Sequence, residues 1–173
     1  QQRLAAIGRH AGMRIVGPNC IGMLNFGSKA GVTFMIPPPM EAPLPQALGL
    51  VSQSGALGFS LAQAVMRGVS VSHLLTTGNS SDIDVADCVS FLADDPGCKA
   101  IACVFEGMPD PMRFIEAAQI ADAADKPLVV FKLGTGEQGA AAAMSHTGSL
   151  AGSQAAYRAA FERAGAILVD NFE

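Results

Sequence analysis

Leu48-Gly49-Leu50-Val51-Ser52-Gln53-Ser54-Gly55-Ala56-Leu57-Gly58 runs from an apolar stretch, through a turn of small residues, into a helical pattern. Leu48–Val51 reads as a strand and Ala56–Arg67 as the helix that follows it. The strand is apolar at successive rather than alternate positions, which suits burial on both faces in a parallel sheet. The rest of the chain is read outward from this unit.

Downstream the rhythm repeats. Val71–Leu75 is a second strand, and Asp84–Ala93 places Val85, Cys88, Val89 and Leu92 on one face of a helix. Asp94-Asp95-Pro96-Gly97 is a turn. Ala100–Phe105 is a third strand, and Asp110-Pro111 supplies an N-cap and first-turn pair for a helix to about Ala123. Lys126-Pro127 breaks the chain before a fourth strand, Leu128–Leu133. A loop rich in glycine and alanine leads to a helix with Tyr157 and Phe161 four apart, closed by Gly165, and Ala166–Val169 is the fifth strand. The fold expected is α/β: a flavodoxin-like, doubly wound, parallel five-stranded sheet with helices on both faces.

Upstream the rhythm fails. PPPMEAPLP at 37–45 is a proline-rich connector, so the boundary is expected near Gln46. Residues 1–46 then read as the C-terminal tail of a preceding domain plus a linker, and residues 47–173 as the α/β domain. The absence of an initial Met suits a piece of a longer chain.

Of the 173 residues 50% are hydrophobic and 15% charged, enough apolar material for a substantial core. A formal charge of -4 without a basic cluster argues against nucleic acid as a partner. No apolar run approaches the ~18–20 residues that cross a bilayer, and the N-terminus lacks the order of a signal peptide. Cys20, Cys88, Cys98 and Cys103 show no C-x-x-C pairing, so reduced thiols in the cytoplasm are expected.

Ligands of open parallel sheets bind beyond the carboxyl ends of the strands. Ser52–Gly55, the TTGNSSD segment at 76–82, Glu106-Gly107 and the loop from Gly134 to Gly152 all fall there. A serine-glycine turn before a helix leaves N–H groups at the positive end of the helix dipole, where a phosphate can dock; an ordinary capped turn looks the same. No Lys follows Gly55, which excludes a Walker A loop. Ser52 and Ala56 occupy the glycine positions of G-x-S-x-G, which weakens a Ser54 hydrolase. His146, in SHTGSLAG at 145–152, is the candidate nucleophile, because a neutral imidazole nitrogen accepts a phosphoryl group. A lone histidine is more often structural, and His10 and His73 have nothing near them that suggests chemistry. Glu106 closes an otherwise apolar strand, where a carboxylate must be solvated or paired; pairing with His146 would fix its tautomer.

GPNC at 17–20, LVSQSGALG at 50–58, TTGNSSDIDVAD at 76–87, the strand ending in Glu106, PLVVFKLG at 127–134 and SHTGSLAG occur in one order. In this the chain resembles the NDP-forming acyl-CoA synthetases of the succinyl-CoA synthetase superfamily. The resemblance implies a transient phosphohistidine at His146, oriented by Glu106. It also implies phosphate contacts at Ser54, Gly55, Thr147 and Gly148, and a CoA-side position for Asn19 and Cys20. CoA and ATP or ADP would be substrates, with Mg²⁺ held by a nucleotide-binding domain rather than by this chain. The partners implied are a CoA-binding domain, an ATP-grasp domain or subunit, and a small carboxylic acid or its acyl-CoA, in an oligomer. The alternative is a non-catalytic flavodoxin-like module that binds acyl-CoA or a subunit.

Overall fold

The computed structural model describes residues 2–108, 110–134 and 154–171. Helix α1 (Gln2–His10) precedes the strands β1 (Gly22–Asn25) and β2 (Ala30–Thr33). The alternating unit follows as β3 (Leu48–Ser52), α2 (Gly55–Ala62), β4 (Val71–Thr76), α3 (Val85–Asp94) and β5 (Ala100–Phe105). It continues through α4 (Pro111–Ala123), β6 (Leu128–Lys132), α5 (Gln154–Arg163) and β7 (Ile167–Val169). The helix expected to reach Arg67 stops at Ala62 and tightens into a 3₁₀ turn over Gln63–Arg67, ended by Gly68 in the left-handed region at φ 84°.

The sheet runs β2-β1-β4-β3-β5-β6-β7. Its last five members are parallel and keep the expected flavodoxin-like order. The two others are additions: β1 and β2 pair antiparallel, and β1 pairs antiparallel with β4. The hairpin thus carries the sheet across the boundary expected near Gln46. Its strands are four residues each, and β2 is exposed at three of its four positions, so it carries no buried apolar run.

Two apolar layers hold the helices to the sheet. On one face Phe105, Phe114 and Phe161 from β5, α4 and α5 cluster with ring centroids 4.8–6.1 Å apart, packed against Val89 and Leu92 of α3. On the other, α2 places Phe59 and Ala62 against Leu50, Leu74 and Leu24. Gly58 lets α2 come this close, since a Cβ there would sit 3.0 Å from Ser52 and Thr76 side-chain carbons. The approach sets the start of α2 directly beyond the end of β3. Asp110 caps α4 ahead of Pro111, as the sequence leads one to expect, and Asp84 caps α3 in a reciprocal box with Asp87.

His73, in the middle of β4, is 6% exposed and meets the Phe91 ring edge-on at 5.7 Å. Burial pulls its pKa below the ordinary 6.5, against a smaller upward pull from Asp95. The native state therefore binds this proton less readily than the unfolded chain does. Stability from this source is complete above 6.5 and is lost as pH falls below it. We expect the melting temperature to drop between about pH 7 and pH 5.5, and the drop to shrink in His73→Phe. Identical pH profiles for the two proteins would show that His73 is not the cause.

Candidate active site

The order in which the chain adds parallel strands to the sheet switches direction between β3 and β5, and ligand crevices of such sheets open at that point. Here the two strand ends are fastened by one side chain. The Gln53 amide donates to Gly107 O at 2.9 Å, while its carbonyl oxygen accepts from the backbone N–H of Glu106 at 2.7 Å and of Gly107 at 3.2 Å. Gln53 is 6% exposed, so these bonds are shielded from water. They fix where Glu106 leaves β5.

Beside this staple lies a pocket of about 200 Å³, lined by Asn19, Ser54, Gly55, Gly78, Asn79 and Glu106 among others. Ser54 caps α2, its hydroxyl accepting from Leu57 N at 3.4 Å. The Gly55 and Ala56 end of the helix faces the pocket, where first-turn N–H groups lack helical partners. Ile21 covers Gly55 so closely that a Cβ there would meet it at 2.4 Å.

The opposite wall is the N-terminal arm laid along the loop after β4. Asn79 N donates to Pro18 O at 2.9 Å, Ser81 N to Gly17 O at 3.0 Å and Ile83 N to Ile15 O at 3.0 Å. Asn19, at φ 55°, reaches Asn79 through its side-chain amide at 3.2 Å. The Cys20 thiol donates to Thr76 O at 2.9 Å, and Cys20 stands behind the wall rather than among the lining residues. Asp82 pins the arm from below, accepting from Ile15 N at 2.9 Å and Arg14 Nε at 3.0 Å; these two contacts hold its carboxyl below the ordinary range. Burial pushes the Asp84 carboxyl up, opposed by the N–H of Asp87 and by Arg113, which bonds both Asp84 and Asp87.

Thus Asn19, Ser54, Gly55 and Glu106, distant in sequence, meet at one pocket. His146, Thr147 and Gly148 lie outside the described residues. Residues 45–173 match the succinyl-CoA ligase like flavodoxin domain. The chain belongs to this family.

Curated relatives of this succinyl-CoA ligase-like domain are ligases several times its length. Over 168 residues the chain is 42% identical to the alpha subunit of ADP-forming acetate–CoA ligase I of Pyrococcus furiosus, covering 96% of this chain and 35% of that one. It is 39% identical over 178 residues to a trans-feruloyl-CoA synthase from an unknown prokaryotic organism, covering 100% of this chain and 25% of that one. Among solved structures, acetyl-coenzyme A synthetase 1 of Ca. Korarchaeum cryptofilum, described as dinucleotide forming and in complex with phosphate and ADP, superposes with a TM-score of 0.86. That match is 35% identical and covers 98% of this chain and 36% of that one.

Two contributors to the site escaped the sequence reading. Gln53 was visible only as part of a turn. Lys132 ends β6 opposite Phe105, is 5% exposed, and donates to Glu106 O and, at 2.7 Å, to Leu133 O. Burial lowers the pKa of its ammonium, while the Glu106 charge raises it. A lysine closing an apolar strand, beside a strand that ends in glutamate, was the available signal.

Proposed function

We propose that this domain is the phosphoryl-carrying part of an NDP-forming acyl-CoA synthetase, an acid–thiol ligase that acts through a phosphohistidine at His146. The observation that carries the reading is the pocket at the sheet's reversal point, where the start of α2, the Asn19 and Gly78 loops and Glu106 converge. The reaction has three balanced steps. A phosphate oxygen attacks the acyl-CoA carbonyl and expels CoA as its thiolate, leaving an acyl phosphate. A neutral His146 nitrogen attacks phosphorus and releases the carboxylate. The terminal oxygen of a nucleoside diphosphate then takes the phosphoryl group, giving the triphosphate and freeing the imidazole. In reverse, ATP activates a carboxylic acid.

Phosphoryl transfer is chiefly a matter of positioning and charge stabilisation. The first-turn N–H groups at Gly55, beside the Ser54 cap, supply fixed donors for phosphate oxygens, joined by Thr147 and Gly148. Glu106 accepts from the second ring nitrogen of His146 and stabilises the cation formed on phosphorylation. Asn19 takes the CoA side, with Cys20 supporting it through Thr76. Relatives named for acetate and for a feruloyl group both align over the chain, so the proposal covers carboxylic acids as a class.

The CoA-binding and ATP-grasp parts, as domains or subunits of an oligomer, provide the remaining apparatus. Mg²⁺ belongs with the nucleotide there. Among the described residues no group of three or more His, Cys, Asp or Glu could hold a metal ion. The four cysteines are free thiols, which suits a reducing cytoplasm, and no helix among the described residues is long and apolar enough to cross a membrane. In the assembled enzyme we expect Glu106→Gln to slow phosphorylation of His146 about a hundredfold while the fold is kept. An unchanged rate would remove Glu106 from the mechanism.

A further inference from the structure

Taking an ammonium out of water is costly, and a lysine is kept in such a place only where bonds offset that cost. Lys132 closes β6, pairs in register with Phe105 of β5, and is 5% exposed. Its Nζ stands 5.8 Å from the centroid of the Phe105 ring. The last rung between the two strands lies beside it, where Leu133 N donates to Phe105 O at 2.8 Å. Beyond that rung the ammonium donates to Glu106 O and, at 2.7 Å, to Leu133 O.

Together with Gln53, this ammonium engages every backbone polar group of Glu106 and Gly107. The Gln53 carbonyl oxygen accepts from both N–H groups, and its amide donates to Gly107 O. Lys132 takes the remaining oxygen, that of Glu106. Both residues lie past the end of β5, so two buried side chains do there what a neighbouring strand does within the sheet. Glu106 is thus held on its N–H by one and on its carbonyl by the other. From this fixed backbone it lines the phosphate pocket, whereas Lys132 is not among the lining residues.

We propose that Lys132 is a positioning residue for phosphoryl transfer, holding the Glu106 carbonyl so that the Glu106 carboxylate meets His146 in the productive place. The inference rests on the phosphohistidine reading and adds to it a residue that acts only through Glu106. A carboxylate orients an imidazole only from hydrogen-bonding distance, and a misplacement of about 1 Å can cost on the order of a hundredfold in rate. Supporting bonds of this kind keep a reacting side chain within that tolerance. Lys132→Met keeps the length of the side chain and removes the donor to both carbonyls, so the turn bearing Glu106 loosens.

The test is a double-mutant cycle in the assembled enzyme, with acetyl phosphate radiolabelled at phosphorus as the donor to His146. We expect Lys132→Met to slow labelling about tenfold or more, with the half-saturating acetyl phosphate concentration changed by less than about twofold. On a Glu106→Gln background the same substitution should slow labelling by less than about twofold further, because the carboxylate it positions is already gone. A merely structural lysine would give losses that multiply. Lys132→Gln, which keeps one amide donor, takes its place in the cycle if the methionine variant does not fold. Unchanged labelling in the Lys132 variant, or multiplying losses, would overturn the proposal while leaving the phosphohistidine reading intact. No label on His146, or an unchanged rate in Glu106→Gln alone, would overturn the reading and the proposal together.

Discussion

Replacing His146 with alanine, in the chain assembled with its CoA-binding and nucleotide-binding parts, is expected to abolish ATP-linked acyl-CoA formation. The proposed steps meet at one atom. The acyl phosphate arises beside CoA, the nucleotide is held elsewhere, and only the imidazole nitrogen passes the phosphoryl group between them. Loss of a covalent nucleophile has no bypass in such a scheme, so the residual rate should be below about a thousandth of the wild-type rate. CoA affinity should change by less than about twofold, because His146 is assigned no part in holding CoA. The chain spans 35% of one relative's length and 25% of another's, so by itself it should make no net acyl-CoA. Near wild-type turnover in His146→Ala would defeat the mechanism.

Gly78→Ala should cause the largest loss of stability among substitutions near the pocket. Gly78 has φ +55°, and a Cβ there would lie 2.4 Å from the carbonyl oxygens of both Pro18 and Asn19. The obstacles are backbone atoms of the arm that forms the pocket wall, so no side chain can swing aside. Left-handed strain and overpacking together should cost about 2–4 kcal/mol, read as a lower urea midpoint at constant slope. Gly68→Ala is the matched control: φ there is +84°, but nothing lies within 4 Å of the added carbon. It should lose only about 1 kcal/mol, so the difference reports the clash. Equal losses would mean that the arm does not press on the loop.

Where the sequence was legible, one strong signal repeated. Ala100–Phe105 and Leu128–Lys132 are almost wholly apolar strands bounded by polar turns, and Asp110 announces its helix as a cap. The hairpin was missed because β1 and β2 are short, glycine-containing and half open to solvent, and the proline stretch after them reads as a linker. Strand ends, by contrast, pointed to Ser54, Gly55 and Glu106, because parallel order sends every such end to one edge of the sheet. Asn19 was reached through resemblance alone. Its place depends on backbone pairing between the arm and the loop after β4, which leaves no periodic trace. Gln53 and His73 were illegible for a related reason: what distinguishes each is a partner gained, or lacking, across strands far apart in sequence.

The most direct measurement is the chemistry of the phosphate on the chain. The assembled enzyme is incubated with acyl-CoA and radiolabelled inorganic phosphate without nucleotide, and the labelled protein is divided between acid and alkali before peptide mapping. We expect label that survives alkali, is lost in acid, maps to the peptide bearing His146, and is discharged by a nucleoside diphosphate. Acid-stable label on a serine such as Ser54, or a chain that stays unlabelled while the assembly turns over, would contradict the phosphohistidine account.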